Sequence, residues 1–454
     1  MVAYSFKNGR SESTYGIRIQ DSRPVTRYHT IRVLSDAGAN SSVGRATRVW
    51  AVQKYVDGIP FGRFYSLKDV WAYEWRDSKH QVLENIQKDQ PKYSQHFLIP
   101  SDYGYVAHDF SELSIPDNIH ESLRRLNPEP TGRILYTHAE TSLDSSSEGH
   151  TGDEYLSRHP RQHHRVVFEG IGVPVHDLRT FTDIFTAIKG GWKGLNAMHL
   201  SRLVHRDVSS GSILLVSNSG TQGQRGVIMD LECAKQVDDT NTPYDMRTGT
   251  ETFMATEVAC MKHHRLGSLR SFLKIRTPSR KDPKQYAQGP RARLPSFCHN
   301  PLHGMESIWW LCIWVMFYLV PSSAHSEQYM ENYWKVFANP LIKRDFVCIS
   351  EDFLDLTTHL SEVPSLVEVM SEWQEELNQL YKESYMEQDV SSTRLTQIRI
   401  DKKTVQSGYE LGKEFLESLK SYAESISIEF VTLSERYQEP KKNVVSTTAS
   451  SEPE

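Results

Sequence analysis

The chain has 454 residues, enough for one large core or two moderate lobes. A hydrophobic share of 38%, a charged share of 24% and a net charge of −5 fit a globular protein in water and exclude a general nucleic-acid binder, which would be basic. Cys233, Cys260, Cys298, Cys312 and Cys348 are scattered and lack CxxC spacing, so they read as reduced thiols of an intracellular protein, cytoplasmic or nuclear. The opening residues Met1–Gly9 lack the apolar run of a signal peptide.

Residues 1–25 are set apart as an N-terminal extension. Arg48–Gln53 and Arg63–Lys68 alternate apolar and polar residues and are joined through Asp57-Gly58-Ile59-Pro60, a strand–turn–strand signature. A helix is expected near Ser78–Gln87, with Val82, Leu83 and Ile86 on one face. From about 138 to 164 the chain is polar, holding Ser145-Ser146-Ser147 and several histidines, and reads as a surface insertion. Asp183–Leu200 reads as a helix with glycine interruptions, and helical patterns dominate after about residue 175. The stretch 261–293 is basic, with Asp282 as its one acid, and is expected to be a solvated insertion with a possible role in partner docking. The apolar run Ile308–Val320 stops at Pro321, too short to span a bilayer of about 30 Å; a buried core helix is the expectation, with no membrane partner. Residues 441–454 are Ser/Thr-rich and read as a disordered tail. His163-His164, His263-His264 and His299/His303 lack zinc-like partners in the sequence.

Chemistry concentrates in three stations of fixed order: His205-Arg206-Asp207, Asp230-Leu231-Glu232, and Thr256-Glu257 at the end of Gly249–Ala255. Phosphoryl transfer needs one carboxylate to orient the acceptor hydroxyl, a second to hold a metal ion, and an ordered segment beside them. Together with Gly44–Trp50, Leu67–Trp71, Val166–Pro174, His205–Gly211 and Asn300–Ser307, these stations resemble the fungal-type protein kinase family from about Gly44 to Tyr318.

The resemblance implies an α+β, bilobal protein-kinase-like fold. A small β-rich N-lobe would span 26–172 and a larger, mainly helical C-lobe 173–440, with a hinge near Phe168–Gly172. It implies ATP and Mg2+ as cofactors and a protein Ser/Thr hydroxyl as acceptor, the protein substrate itself being unknown. Asp207 would be the catalytic aspartate. Lys68 would pair the phosphates, Gly44 and Thr47 would cover them, and Glu169, Gly170 and Ile171 would line the nucleotide at the hinge. Asp230 would hold magnesium, with Ser212 standing where a second metal ligand, an asparagine, is usual. Glu257 would anchor the segment before it, and Thr250 would serve as the platform threonine near Asp207. Three departures weaken the pattern: Lys79 where a glutamate normally pairs the strand lysine, Ser212, and Gly304 where an aspartate braces the catalytic loop. They motivate the alternative of a pseudokinase, a scaffold or nucleotide-binding module with weak or no catalysis. A small-molecule phosphotransferase is a third reading, opposed by the platform-like Gly249–Glu257 segment.

Overall fold

The computed structural model describes residues 2–3, 14–19, 25–36, 47–73, 79–106, 161–217, 223–237, 249–276, 294–324, 326–391 and 395–438. The chain divides into two compact units, Met1–Asn85 with Leu98–Ile171, and Ile86–Phe97 with Gly172–Glu454. The first is β-rich and the second mainly helical, the α+β division expected from the sequence.

In the first unit, seven antiparallel strands form one sheet: β1 (Val2–Ala3), β2 (Tyr15–Ile19), β3 (Thr26–Ser35), β4 (Arg48–Val56), β5 (Ile59–Tyr73), β6 (Pro100–Tyr105) and β7 (Arg161–Glu169), in the order β1-β2-β3-β4-β5-β7-β6. The β4–β5 turn falls on Asp57–Gly58, both at positive φ (49° and 85°), a conformation that matches strand twist and that Asp-Gly tolerates. The stretch set apart as an extension contributes β1 and β2. Ile17 and Ile19 alternate into a core with Tyr28, Trp50, Leu67 and Val167, so the sheet needs these residues for its own burial. The Tyr28 hydroxyl donates to Asp102 at 3.2 Å and ties β3 to β6.

Most of the polar stretch lies outside the described residues, but its last four residues, 161–164, open β7. His164 is buried there between Val70 and Tyr105. The cut at Asn85/Ile86 falls within α1 (Lys79–Asp89), where Leu83 and Ile86 are buried as the helical spacing requires.

The second unit is organised around α2 (Phe181–Leu200), which Thr180 caps by accepting the Asp183 N–H. Its glycines are contact points. A Cβ on Gly190 would fall 2.2 Å from the Gly226 carbonyl oxygen, and one on Gly226 would fall 2.0 Å from that of Ala187. Helix backbone therefore lies directly on the backbone of the small sheet formed by β8 (Gly172–Pro174), β10 (Ile213–Ser217) and β11 (Gln224–Ile228). Two further strands, β9 (Leu203–Val204) and β12 (Lys235–Gln236), pair beside the loop that starts at His205.

After α3 (Thr256–Cys260) comes α4 (His264–Arg276). Here the basic stretch departs from the solvated insertion expected of it. His263 and Arg265 are buried, and Arg270 forks onto Asp389, its Nη2 2.6 Å from Oδ1. Only residues 277–293 of that stretch lie outside the described residues.

The apolar run forms α5 (Pro301–Tyr318), buried on nearly every side and capped by Asn300 and His303. It ends before Val320 because Leu319–Pro321 (β13) pairs with Phe430–Thr432 (β14). Around it pack α6 (Ser326–Ala338), α7 (Pro340–Cys348), α8 (Ser350–Thr357), α9 (Pro364–Ser391) and α10 (Lys402–Glu424), followed by α11 (Leu433–Gln438). The Trp192 indole N–H donates to the Tyr409 carbonyl at 3.1 Å, seating α10 on α2. No helix of the described residues is long and apolar enough to cross a membrane. The tail 441–454 lies outside the described residues.

Candidate active site

Three ties fix the loop that follows β9. The His205 ring, 1% exposed, donates through Nε2 to the Met229 carbonyl at 2.7 Å and accepts the Asp207 N–H at Nδ1. Arg206 sits at φ 68° and donates through Nε to the Cys233 carbonyl at 2.9 Å. The Met229 N–H donates to the Ser212 carbonyl at 2.7 Å. Asp230, which follows Met229, adopts the left-handed conformation that an aspartate tolerates, at the start of a 3₁₀ turn. Asp207 and Asp230 thus belong to one hydrogen-bonded frame. The expected Thr250 contact is present: its N–H and its hydroxyl both donate to Asp207 Oδ1, at 3.1 and 3.2 Å. Gly249 precedes it at φ 114°, where a Cβ would meet the Arg206 carbonyl oxygen at 2.8 Å.

Ser212 is engaged within its own turn. Its hydroxyl donates to the Ser209 carbonyl at 3.1 Å and accepts the Ser209 N–H at 2.8 Å, with the residue 1% exposed. Gly304 faces a cavity with room for a water molecule, lined also by His199, Asp207 and Thr250. A Cβ on Gly304 would lie 3.5 Å from His199 Nε2, a buried nitrogen with no hydrogen-bond partner, while Nδ1 meets the Tyr409 hydroxyl at 2.6 Å.

Below the loop lies a buried ionic network that the sequence did not announce. Glu257 accepts from Tyr385 (2.6 Å), His263 (3.2 Å), His303 (3.4 Å) and the Arg265 N–H (2.9 Å). Glu306 accepts from the Thr256 N–H (2.8 Å), Tyr381 (2.9 Å), Trp310 (3.2 Å) and the Arg265 guanidinium (3.1 Å), which stacks 4.1 Å from the centre of the Tyr381 ring.

Burial alone would raise the Glu257 carboxyl, yet hydrogen bonds from His263 and His303 and the Arg265 charge hold it well below its usual range. Burial also opposes charge on His263, but the Cys298 sulfur and the Glu257 carboxylate beside it lift its pKa to about 9. Arg265 and His263 balance the two carboxylates.

The spacing of Glu257, His263 and His303 would also suit a metal ion, a grouping that the separated histidine pairs of the sequence did not reveal. Proton placement argues against it. His303 Nδ1 accepts the Asn300 N–H at 3.1 Å, so Nε2 carries the proton and donates to Glu257, leaving no lone pair for a metal.

In the first unit, Lys68 is 8% exposed on β5, between Val49 and Val166. The next residue, Asp69, is held by His163 and by Arg165 (3.2 Å). Thr47 is partly buried just before β4; Gly44 lies outside the described residues, as does the side chain of Lys79. The Glu169 N–H donates to the Ile99 carbonyl at 2.9 Å, and its carboxylate pairs with Arg63 at 2.5 Å. Gly170 takes φ 90° and bridges to Tyr65, followed by a partly buried Ile171.

Against known families, the model described as "Fungal protein kinase" matches residues 10–316. No curated protein matches the chain.

Proposed function

Because this chain belongs to the fungal protein kinase family, we propose that it transfers the γ-phosphoryl group of ATP to a Ser or Thr hydroxyl of a protein. The observation that carries this reading is the hold on Asp207. Its carboxylate is oriented by two donors from Thr250, and its backbone is fixed through His205 and Arg206. A carboxylate so placed can accept the proton of an incoming hydroxyl without first reorganising. In this reading Lys68 binds phosphate oxygens, Gly44 and Thr47 cover them, and the Glu169–Ile171 backbone meets the base. The Glu169 carboxylate is taken by Arg63, so recognition there falls to the main chain.

Asp230 offers the hard oxygen that Mg2+ takes alongside phosphate and water, so the donor set fits one ion. When bound, that ion would neutralise charge on the phosphates. We assign Ser212 to loop architecture instead, since its hydroxyl already gives its proton and accepts another. Ser212→Ala should therefore lower thermal stability while leaving the magnesium concentration for half-maximal nucleotide binding unchanged, measured by titration in a thermal-shift assay.

Transfer of labelled γ-phosphate to a generic protein acceptor tests the proposal. Wild type should transfer, and Asp207→Asn should lose at least about a hundredfold of the rate, as for removal of a positioned proton acceptor. A wild-type protein that binds Mg-ATP but transfers nothing would instead support the scaffold reading. That second reading is favoured by Gly304, which leaves a cavity and an unpartnered His199 nitrogen beneath the catalytic loop.

A further inference from the structure

We infer that Lys343 is a positioning residue for the acceptor side of the site, holding the segment that carries Thr250 and, through it, the orientation of Asp207. The inference deepens the kinase reading above and rests on it for the role of Asp207. Lys343 lies on α7, beyond the residues that the family model matches. The helix start is fixed by Pro340 and by Asn339, whose side chain accepts the N–H groups of Leu341 and Ile342. Lys343, Phe346 and Val347 form its buried face at i, i+3, i+4 spacing, so a lysine stands at a position the pattern gives to apolar residues.

A buried ammonium has three protons and costs heavily unless each finds an acceptor. Lys343 is 4% exposed, and its Nζ donates to the carbonyls of Glu251, Thr252 and Met254 at 2.7, 2.8 and 3.0 Å. It also lies 4.8 Å from the centre of the Trp310 ring on α5. The three carbonyls belong to the 3₁₀ turn Glu251–Phe253 and its exit; that of Glu251 also accepts the Met254 N–H at 3.3 Å, and Lys343 supplies a second donor there and a donor to the carbonyls of Thr252 and Met254. At the other end of that turn, the Thr250 carbonyl accepts the Phe253 N–H at 3.0 Å, while the Thr250 N–H and hydroxyl reach Asp207. The turn is a strut with Lys343 at one end and Asp207 at the other.

Hydrogen exchange on the full chain tests this, comparing wild type with Lys343→Met, which keeps the stem and removes the charge, and Lys343→Arg, which keeps a cation. The Met variant should exchange about tenfold faster or more across residues 250–256, with peptides from α2 and α9 unchanged. The Arg variant should recover most of the protection. In transfer assays, the Met variant should raise KM for the protein acceptor and leave KM for ATP unchanged.

Unchanged exchange at 250–256 in a folded Met variant overturns the inference. So does equal acceleration in every peptide, or an Arg variant that behaves like Met, because either result reduces Lys343 to general packing. Faster exchange confined to 250–256 in a protein that transfers no phosphate upholds the strut and overturns only the kinase reading.

Discussion

Glu257, Glu306, Arg265 and His263 share one buried space in the second unit, and each charge is tolerable only because of the others. Removing one partner leaves its opposite stranded. Glu306→Ala should destabilise the protein by about 3–5 kcal/mol by urea unfolding, most of it the penalty on an uncompensated Arg265. His263 gives the network a pH dependence. Its folded pKa of about 9 lies above the ordinary 6.5, so its contribution is complete below about pH 6.5 and is lost as pH rises through 9. Urea midpoints should fall between pH 7 and 9.5 in wild type, and His263→Gln should flatten that slope. Asp207 and Thr250 were legible because their residues form a recognisable ordered set. Arg265 was not, since nothing near it in sequence shows that its partners come from α5 and α9. Lys343 left only a faint signal, a charge on an apolar helix face.

Helix and strand contacts explain the glycines that look like interruptions in α2. Gly190 and Gly226 let two backbones touch, and a methyl group at either would collide with a carbonyl that cannot rotate away. Gly226→Ala should cost at least the roughly 1–3 kcal/mol typical of overpacking, read as a lower thermal midpoint. Turn chemistry made the β4–β5 hairpin readable, periodicity did the same for α1 and α2, and the length of an unbroken apolar run did so for α5. The strands β1 and β2 were not, because short strands are decided by the partner they find rather than by their own residues. The end of α5 has the same cause: Leu319–Pro321 leaves the helix to pair with residues more than a hundred positions away.

At the scale of the molecule, the family match ends at residue 316, while the second unit's core does not. Trp192 packs against Trp373 of α9 and Tyr409 of α10, and Gly412 lies so close that a Cβ would meet the Trp192 ring at 2.2 Å. A chain cut after Met316 should therefore fail to give a cooperative unfolding transition by calorimetry, because it exposes Trp192 and Trp309 at once. The β13–β14 pairing also bears on when folding can finish. Loop closure between Val320 and Val431 joins the strand that follows α5 to nearly the last described residues, a contact of high order. During synthesis, Leu319–Pro321 and Phe181 at the start of α2 must wait without this partner until Phe430–Thr432 has left the ribosome. Nascent chains halted before that strand should stay open to protease, and those released beyond it should close.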